Sequence, residues 1–179
     1  MKEEIKKFFK GDIDDSDATR TAYSHDASIF EIRPAMVVFP KDSLDIQNLV
    51  RFVRESKEKY PTLSLTVRAA GTCMSGGPLN ESIIVDITRY MNSLISISKD
   101  SKRAVVQPGM FYRDFEKETL ALGLILPSYT ASKSLNTVGG MVGNNSAGEI
   151  TLRHGATRNY VKSLRVVFAD GYEYEVRPL

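Results

Sequence analysis

Apolar residues fall along this chain in short bursts whose period changes from one segment to the next. Residues 2–9 predict a short amphipathic helix that stops at Gly11, and the polar stretch that follows, to about Pro34, lacks clean periodicity. Met36 to Phe39 is a compact apolar run ending at Pro40, the pattern of a buried strand. Asp42 or Ser43 then caps a helix in which Ile46, Leu49, Val50 and Val53 recur at i, i+3, i+4 and i+7, with Arg51, Arg54, Glu55 and Lys57 turned outward. That apolar stripe is core. Leu63 to Val67 predicts a second strand, so residues 36–67 form a strand–helix–strand unit, which is expected to be parallel.

The second half has a different grammar. Ile83 to Asp86 predicts a third short strand, and "LISIS" and "RAVVQPG", separated by polar "KDSK", predict a hairpin. Residues 111–122 predict a helix with Tyr112, Phe115, Thr119 and Leu122 on one face, closed by Gly123. A long loop over residues 126–160 holds five of the twelve glycines. "SLRVVFADGYEYEVR" then predicts two strands around Asp170-Gly171. No internal repeat interrupts the pattern.

Directly after the second predicted strand comes "VRAAGTCMSGG", residues 67–77, in which only Arg68 and Met74 are bulky between Val67 and Gly77. Glycines let backbone approach a ligand closely, and a row of N–H groups in such a turn can hold an anion. A plain connecting turn is the competing reading. The loop is neither of the two commonest phosphate motifs. Gly71 and Gly76 have Walker A spacing, but Gly77-Pro78 stands where Lys-Ser/Thr belongs, which disfavours nucleotide hydrolysis. Gly71, Gly76 and Gly77 do not match Gly-x-Gly-x-x-Gly, and "PLN" continues as loop rather than helix. With the second glycine-rich loop in the other half, the arrangement suits a ligand held between two lobes.

Composition narrows the classes. A chain of 179 residues with 42% hydrophobic and 26% charged residues suits one domain or two small lobes. The net charge of +2 gives no electrostatic case for nucleic acid or a strongly anionic membrane. The single Cys73 excludes an internal disulfide framework and fits a reducing, cytoplasmic setting. His25 and His154 lie far apart and no metal site is expected. The charged N-terminus lacks the apolar segment of a secretory signal, and no window approaches the roughly 20 apolar residues of a membrane span. The two Asn-x-Ser sequons, at Asn80 and Asn144, are read as accidental.

"RAAGTCMSGG" and "NTVGGMVGNNSAGEITLRHGATRNYVKSLRVVFADG", with the lead-in "YSHDASIFEIRPAMVVFPKDSLDIQNLVRFV", resemble the flavin-binding segments of FAD-linked oxidases of the vanillyl-alcohol-oxidase/p-cresol-methylhydroxylase type, in particular the D-lactate dehydrogenase and glycolate oxidase branch. The resemblance covers residues 20–179 and rests on the pairing of both glycine segments. It implies an α+β fold of two α/β lobes: a small parallel βαβ lobe over about residues 20–90, then a mainly antiparallel lobe with helices over about 91–179. It also implies that the whole chain is an FAD-binding domain of the p-cresol-methylhydroxylase type.

In the resembled family the first loop wraps the FAD pyrophosphate through backbone amides, which assigns that role here to Ala69, Ala70, Gly71, Thr72, Cys73, Met74 and Ser75. The second segment assigns Ser132, Thr137, Gly139, Gly140, Asn144, Ala147 and Gly148 to the flavin and adenosine portions, with Val161 on the adenine side. His154-Gly155 stands where the family usually has Tyr-Gly, and "SYTAS" at 128–132 departs from the family's Pro-Asp-Pro lead-in. Some members attach FAD through a His in the first loop. Thr72 occupies that position here, so the resemblance implies non-covalent FAD. Cys73 reads as a small packed residue rather than a reactive thiol, and His154 as a packing substitute for tyrosine. Arg68 reads equally as a neutraliser of phosphate or as an exposed strand-end residue. No catalytic residue is assigned.

The family's members continue with a substrate-binding cap domain, in some cases with a metal site, and "VRPL" at 176–179 precedes any such segment. The chain is therefore expected to bind FAD but not to turn over substrate without a cap domain or a separate catalytic subunit, whether it is a fragment or a natural split subunit. Self-association through the uncovered interface is the expected consequence. The complete enzyme implied by the resemblance passes hydride from a D-2-hydroxy acid to the flavin, in the cytoplasm or peripheral to a membrane as part of a larger assembly. Two other readings stay open: a non-catalytic binding or assembly module that keeps the fold, and the FAD domain of a reductase acting on UDP-N-acetylmuramate precursors.

Overall fold

The computed structural model describes residues 1–178. Its elements run α1 (Lys2–Ile5), β1 (Asp12–Asp14), α2 (Asp17–Ala22), β2 (Met36–Phe39), α3 (Ser43–Glu55), β3 (Leu65–Arg68), β4 (Ile83–Asp86), β5 (Leu94–Ser98), β6 (Arg103–Val106), α4 (Tyr112–Ala121), α5 (Val138–Gly143), α6 (Thr151–His154), a 3-10 turn (Thr157–Tyr160), β7 (Leu164–Val167) and β8 (Glu173–Val176).

The first lobe is built on a four-stranded sheet in the order β1-β2-β4-β3. β2 and β3 are parallel, as the strand–helix–strand pattern predicts, but they do not touch. β4 lies between them and pairs in parallel with both. Every residue of β2 and β4 is buried, which is why both are unbroken apolar runs rather than alternating ones. One face of the sheet packs on α3 and α1 through Leu49, Val53, Ile5, Met36, Val38, Ile83 and Val85. The other face presents Val37, Phe39 and Ile84 to Tyr23.

The Asp42 side chain caps α3 by accepting from the Asp45 amide at 3.0 Å. Asp45, fully buried, accepts in turn from the Lys10 and Lys41 amides, both at 2.9 Å, and so ties the N-terminal segment to the end of β2. The polar stretch before Pro34 is not wholly irregular. It holds α2, capped by Ser16, and β1, which adds antiparallel to β2 and makes the sheet mixed.

The other antiparallel pairing falls in two separate two-stranded sheets. β7-β8 packs on α3, with Arg51 and Arg54 donating to the Gly171 and Asp170 carbonyls, and β5-β6 belongs to the second lobe. Its core is Met110, Tyr112 and Phe115 packed on Met141, with Leu94, Val106, Leu126 and Val138 around them. The long glycine-rich loop is broken up by α5, α6 and the 3-10 turn.

Candidate functional site

The parallel strands β2, β3 and β4 end together, and ligands of open parallel sheets characteristically bind off the carboxyl ends of the strands. β3 ends at Arg68 and β4 at Asp86, directly opposite one another in the ladder. A cavity of about 470 Å³ opens there. Its floor is Arg68, Asp86 and Thr88, one wall is Ala69, Ala70 and Thr72, and α2 contributes its end through Ala22 and Tyr23. The second lobe closes the far side with Phe111, Arg113 and Leu135. A smaller cavity of about 250 Å³, lined by Met1, Tyr60 and Leu63 among others, lies at the opposite edge of the strands, away from both glycine loops.

Asp86 is buried and fully engaged. The Tyr23 hydroxyl donates to its Oδ2 at 2.7 Å, while the Thr88 amide and hydroxyl donate to Oδ1 at 2.6 and 2.7 Å. Burial, reinforced by the Asp86 charge, pushes the Tyr23 phenol well above its ordinary value, so it stays a neutral donor. The Arg68 guanidinium lies over the Tyr23 ring, 5.1 Å from its centroid.

The backbone of the first loop has the character of an anion cradle. Among the described residues, the N–H groups of residues 69–74 have no acceptor within the protein. A run of backbone donors free of protein acceptors beside a cavity is the arrangement that suits an anionic ligand. Gly71 has φ +67°, a turn that disfavours any side chain, and a Cβ there would stand 2.5 Å from Arg68 Nη2, so the end of the Arg68 side chain would have to move. The far limb of the loop leans on residues 26–30: the Ala27 amide donates to the Cys73 carbonyl at 3.1 Å, and Phe30 packs against Gly76. Cys73 Sγ is 3.0 Å from Ser75 Oγ, and that hydroxyl with the Ser75 and Gly77 amides holds the thiol below its ordinary pKa.

The amides at the start of α5 are already used. Val138 donates to the Met110 carbonyl at 2.9 Å, Gly139 to Pro108 at 2.8 Å and Gly140 to Thr137 Oγ1 at 3.1 Å. What Gly140 contributes is proximity: a Cβ there would sit 3.7 Å from the Ala69 methyl. Thr137, buried, caps α5 and forms a bridge with Phe111. Of the residues singled out in the sequence, Ala69, Ala70 and Thr72 line the cavity, and Gly71, Thr137 and Gly140 stand immediately behind them. Cys73, Met74 and Ser75 continue toward residues 26–30, with Met74 82% exposed.

Ser132, Gly139, Asn144, Ala147, Gly148 and Val161 are not among the lining residues. Ser132 sits in a tight turn with Thr130, Gly139 backs onto Pro108, and Gly148 packs against the Tyr129 backbone. Asn144 and Ala147 are exposed, and Val161 follows the 3-10 turn. His154 is exposed on α6, and His25 is exposed beside Glu31 at 3.5 Å. Sequence reasoning missed Tyr23, Asp86, Thr88, Phe111, Arg113 and Leu135. Only Asp86, a carboxylate closing an otherwise apolar strand, left a local signal.

The profile of a family described as "FAD binding domain" matches residues 34–177, most of the chain. The chain belongs to this family. It is 31% identical over 171 residues to D-2-hydroxyglutarate dehydrogenase of Escherichia coli (strain K12), covering 96% of this chain and 17% of that one. It is 32% identical over 160 residues to glycolate oxidase subunit GlcD of Bacillus subtilis (strain 168), covering 88% and 33%. D-lactate dehydrogenase of Archaeoglobus fulgidus (strain ATCC 49558 / DSM 4304 / JCM 9628 / NBRC 100126 / VC-16) is 31% identical over 138 residues, covering 76% and 29%.

The fold matches that of 6-hydroxy-D-nicotine oxidase from Arthrobacter nicotinovorans, with a TM-score of 0.79 at 21% identity, over 94% of this chain and 36% of that one. The chain thus spans a third or less of the curated relatives' length. Among the described residues no helix is long and apolar enough to cross a membrane.

Proposed function

We propose that this chain holds FAD non-covalently between its two lobes, residues 20–90 and 91–178, as the cofactor domain of a dehydrogenase for a D-2-hydroxy acid. The observation that carries the reading is the run of acceptor-free amides at residues 69–74, beside a cavity walled by Ala69, Ala70 and Thr72. The pyrophosphate needs donors that cost little to organise, and a loop folded with its amides open supplies them without a lysine. Residues 69–75 would take the pyrophosphate. Thr137 and Gly140 would hold the second lobe against that loop, and Ser132, Gly139, Asn144, Ala147, Gly148 and Val161 would flank the rest of the cofactor. Bound FAD supplies the two-electron acceptor, and the chain's own residues bind it, orient it and shield it from water.

The substrate class rests on the three relatives, each named for a 2-hydroxy acid. A non-covalent cofactor is supported at Thr72, which lines the cavity but offers no imidazole or thiol for attachment. Residues that bind and turn over the hydroxy acid are assigned to a further domain or subunit outside these 179 residues. The single half-buried thiol, Cys73, suits a reducing cytoplasmic setting. Exposed Ile29, Met74 and Leu152 suit self-association of the isolated chain.

The test is to mix the purified chain with FAD, separate it by gel filtration and record the flavin absorbance of the protein peak. Co-eluting flavin that acid precipitation releases supports the reading. Protein that elutes without flavin at saturating FAD overturns it.

A further inference from the structure

Among the described residues, three buried side-chain polar atoms lack a hydrogen-bond partner: Arg68 Nη1, Asp26 Oδ2 and Asn136 Oδ1. Two of the three flank the first glycine loop. Arg68 lies at its root, with the guanidinium 5.1 Å from the Tyr23 ring centroid on one side and, on the other, Nη2 2.5 Å from where a Cβ on Gly71 would stand. No carboxylate of the described residues lies within ion-pairing distance of it. Its neighbour in the ladder, Asp86, is taken up by Tyr23 and Thr88. Asp26, at the other limb, accepts from the Ser28 amide at 2.8 Å.

A cation shielded from water without a paired anion is costly unless something negative completes it. Arginine suits this place because its planar, weakly hydrated head stacks on an aromatic face, which lysine cannot reproduce. Nη1 is closed off from solvent, while Arg68 as a whole is half-buried and forms part of the cavity floor. It stands behind the loop whose outward amides are open.

We propose that Arg68 is the positioning residue of the anion cradle: lying between the Tyr23 ring and Gly71, it fixes the curl of residues 69–72 and brings to the loop a positive charge that no direct ion pair takes up. This deepens the FAD-binding reading and rests on it.

The experiment is a set of FAD titrations on the full chain and on Arg68→Met and Arg68→Lys, followed by flavin fluorescence at about 0.05 M and 0.5 M salt, where screening differs several-fold. Thermal melts confirm that each variant is folded. Arg68→Met is expected to raise the FAD Kd at least about tenfold at low salt and to lose most of the wild-type salt dependence. Arg68→Lys, which keeps the charge but not the stacked plane, is expected to regain the salt dependence with only part of the affinity. Arg68→Met binding FAD within about twofold of wild type, or binding weakly with an unchanged salt dependence, overturns the proposal. Wild-type chain that binds no FAD instead removes the parent reading, so the two failures are distinguishable.

Discussion

Gly140 of α5 faces Ala69 of the first glycine loop so closely that a Cβ on Gly140 would lie 3.7 Å from the Ala69 methyl and 3.3 Å from its own cap, Thr137 Oγ1. Residues 71 positions apart in sequence therefore meet at a seam beside the cavity. Gly140→Leu is expected to push α5 off the loop and weaken FAD retention at least tenfold, read by gel filtration with bound flavin. Unchanged retention would show that the seam is not needed for binding.

Gly71→Ala strains a left-handed φ of +67° and displaces the end of the Arg68 side chain, whose Nη2 would lie 2.5 Å from the new Cβ. The backbone part alone costs about 1–2 kcal/mol. Thermal denaturation should show a lower Tm for Gly71→Ala, with loss of FAD binding beyond what the stability change explains. A variant as stable as wild type would mean that the turn is far softer than its geometry indicates.

Tyr23→Phe removes one hydroxyl and leaves Asp86 Oδ2 buried without its donor. An orphaned buried acceptor costs about 1–3 kcal/mol, more than the net worth of the bond itself. Urea unfolding is expected to show a lower midpoint with an unchanged slope.

Acid stability follows from two carboxylates near the N-terminus. Thr19 and then Ser16 hold Asp14 at about 2 by donating to it, and Lys59, the N-terminal ammonium and Tyr60 hold Glu4 at about 2. Both folded values lie below the ordinary 3.8 and 4.5. The stabilisation is therefore complete above pH 4.5 and drains away as pH falls toward 2. Urea midpoints should drop across that window, and Asp14→Asn should flatten the drop. A midpoint constant down to pH 3 would contradict the assignment.

The fold was legible where one element buries a face by itself. The i, i+3, i+4, i+7 stripe of α3 and the apolar runs of β2 and β4 are local patterns, and the structure has each within a residue or two. β1 was not legible, because "DID" offers the single apolar residue Ile13, too little for a period, and pairs with β2 some twenty-five residues away. The first glycine loop announced itself through small residues after a strand. Its partners did not, since Tyr23, Asp86 and Arg113 meet only in three dimensions. Nor does any sequence rule show that the amides of Val138 and Gly139 are spent on the Met110 and Pro108 carbonyls, which leaves α5 to supply contact rather than charge.

The insertion of β4 between β2 and β3 sets an order of assembly. As the chain emerges during synthesis, β2, α3 and β3 are complete by Arg68, yet the two strands have no ladder to share until residues 83–86 arrive. A single late strand then zips both neighbours at once and draws the two ends of the glycine loop to adjacent positions, Arg68 beside Asp86. Closing that loop of about 17 residues costs roughly 3 kcal/mol of chain entropy, which the two new ladders offset, so the step that completes the sheet is also the step that shapes the cradle.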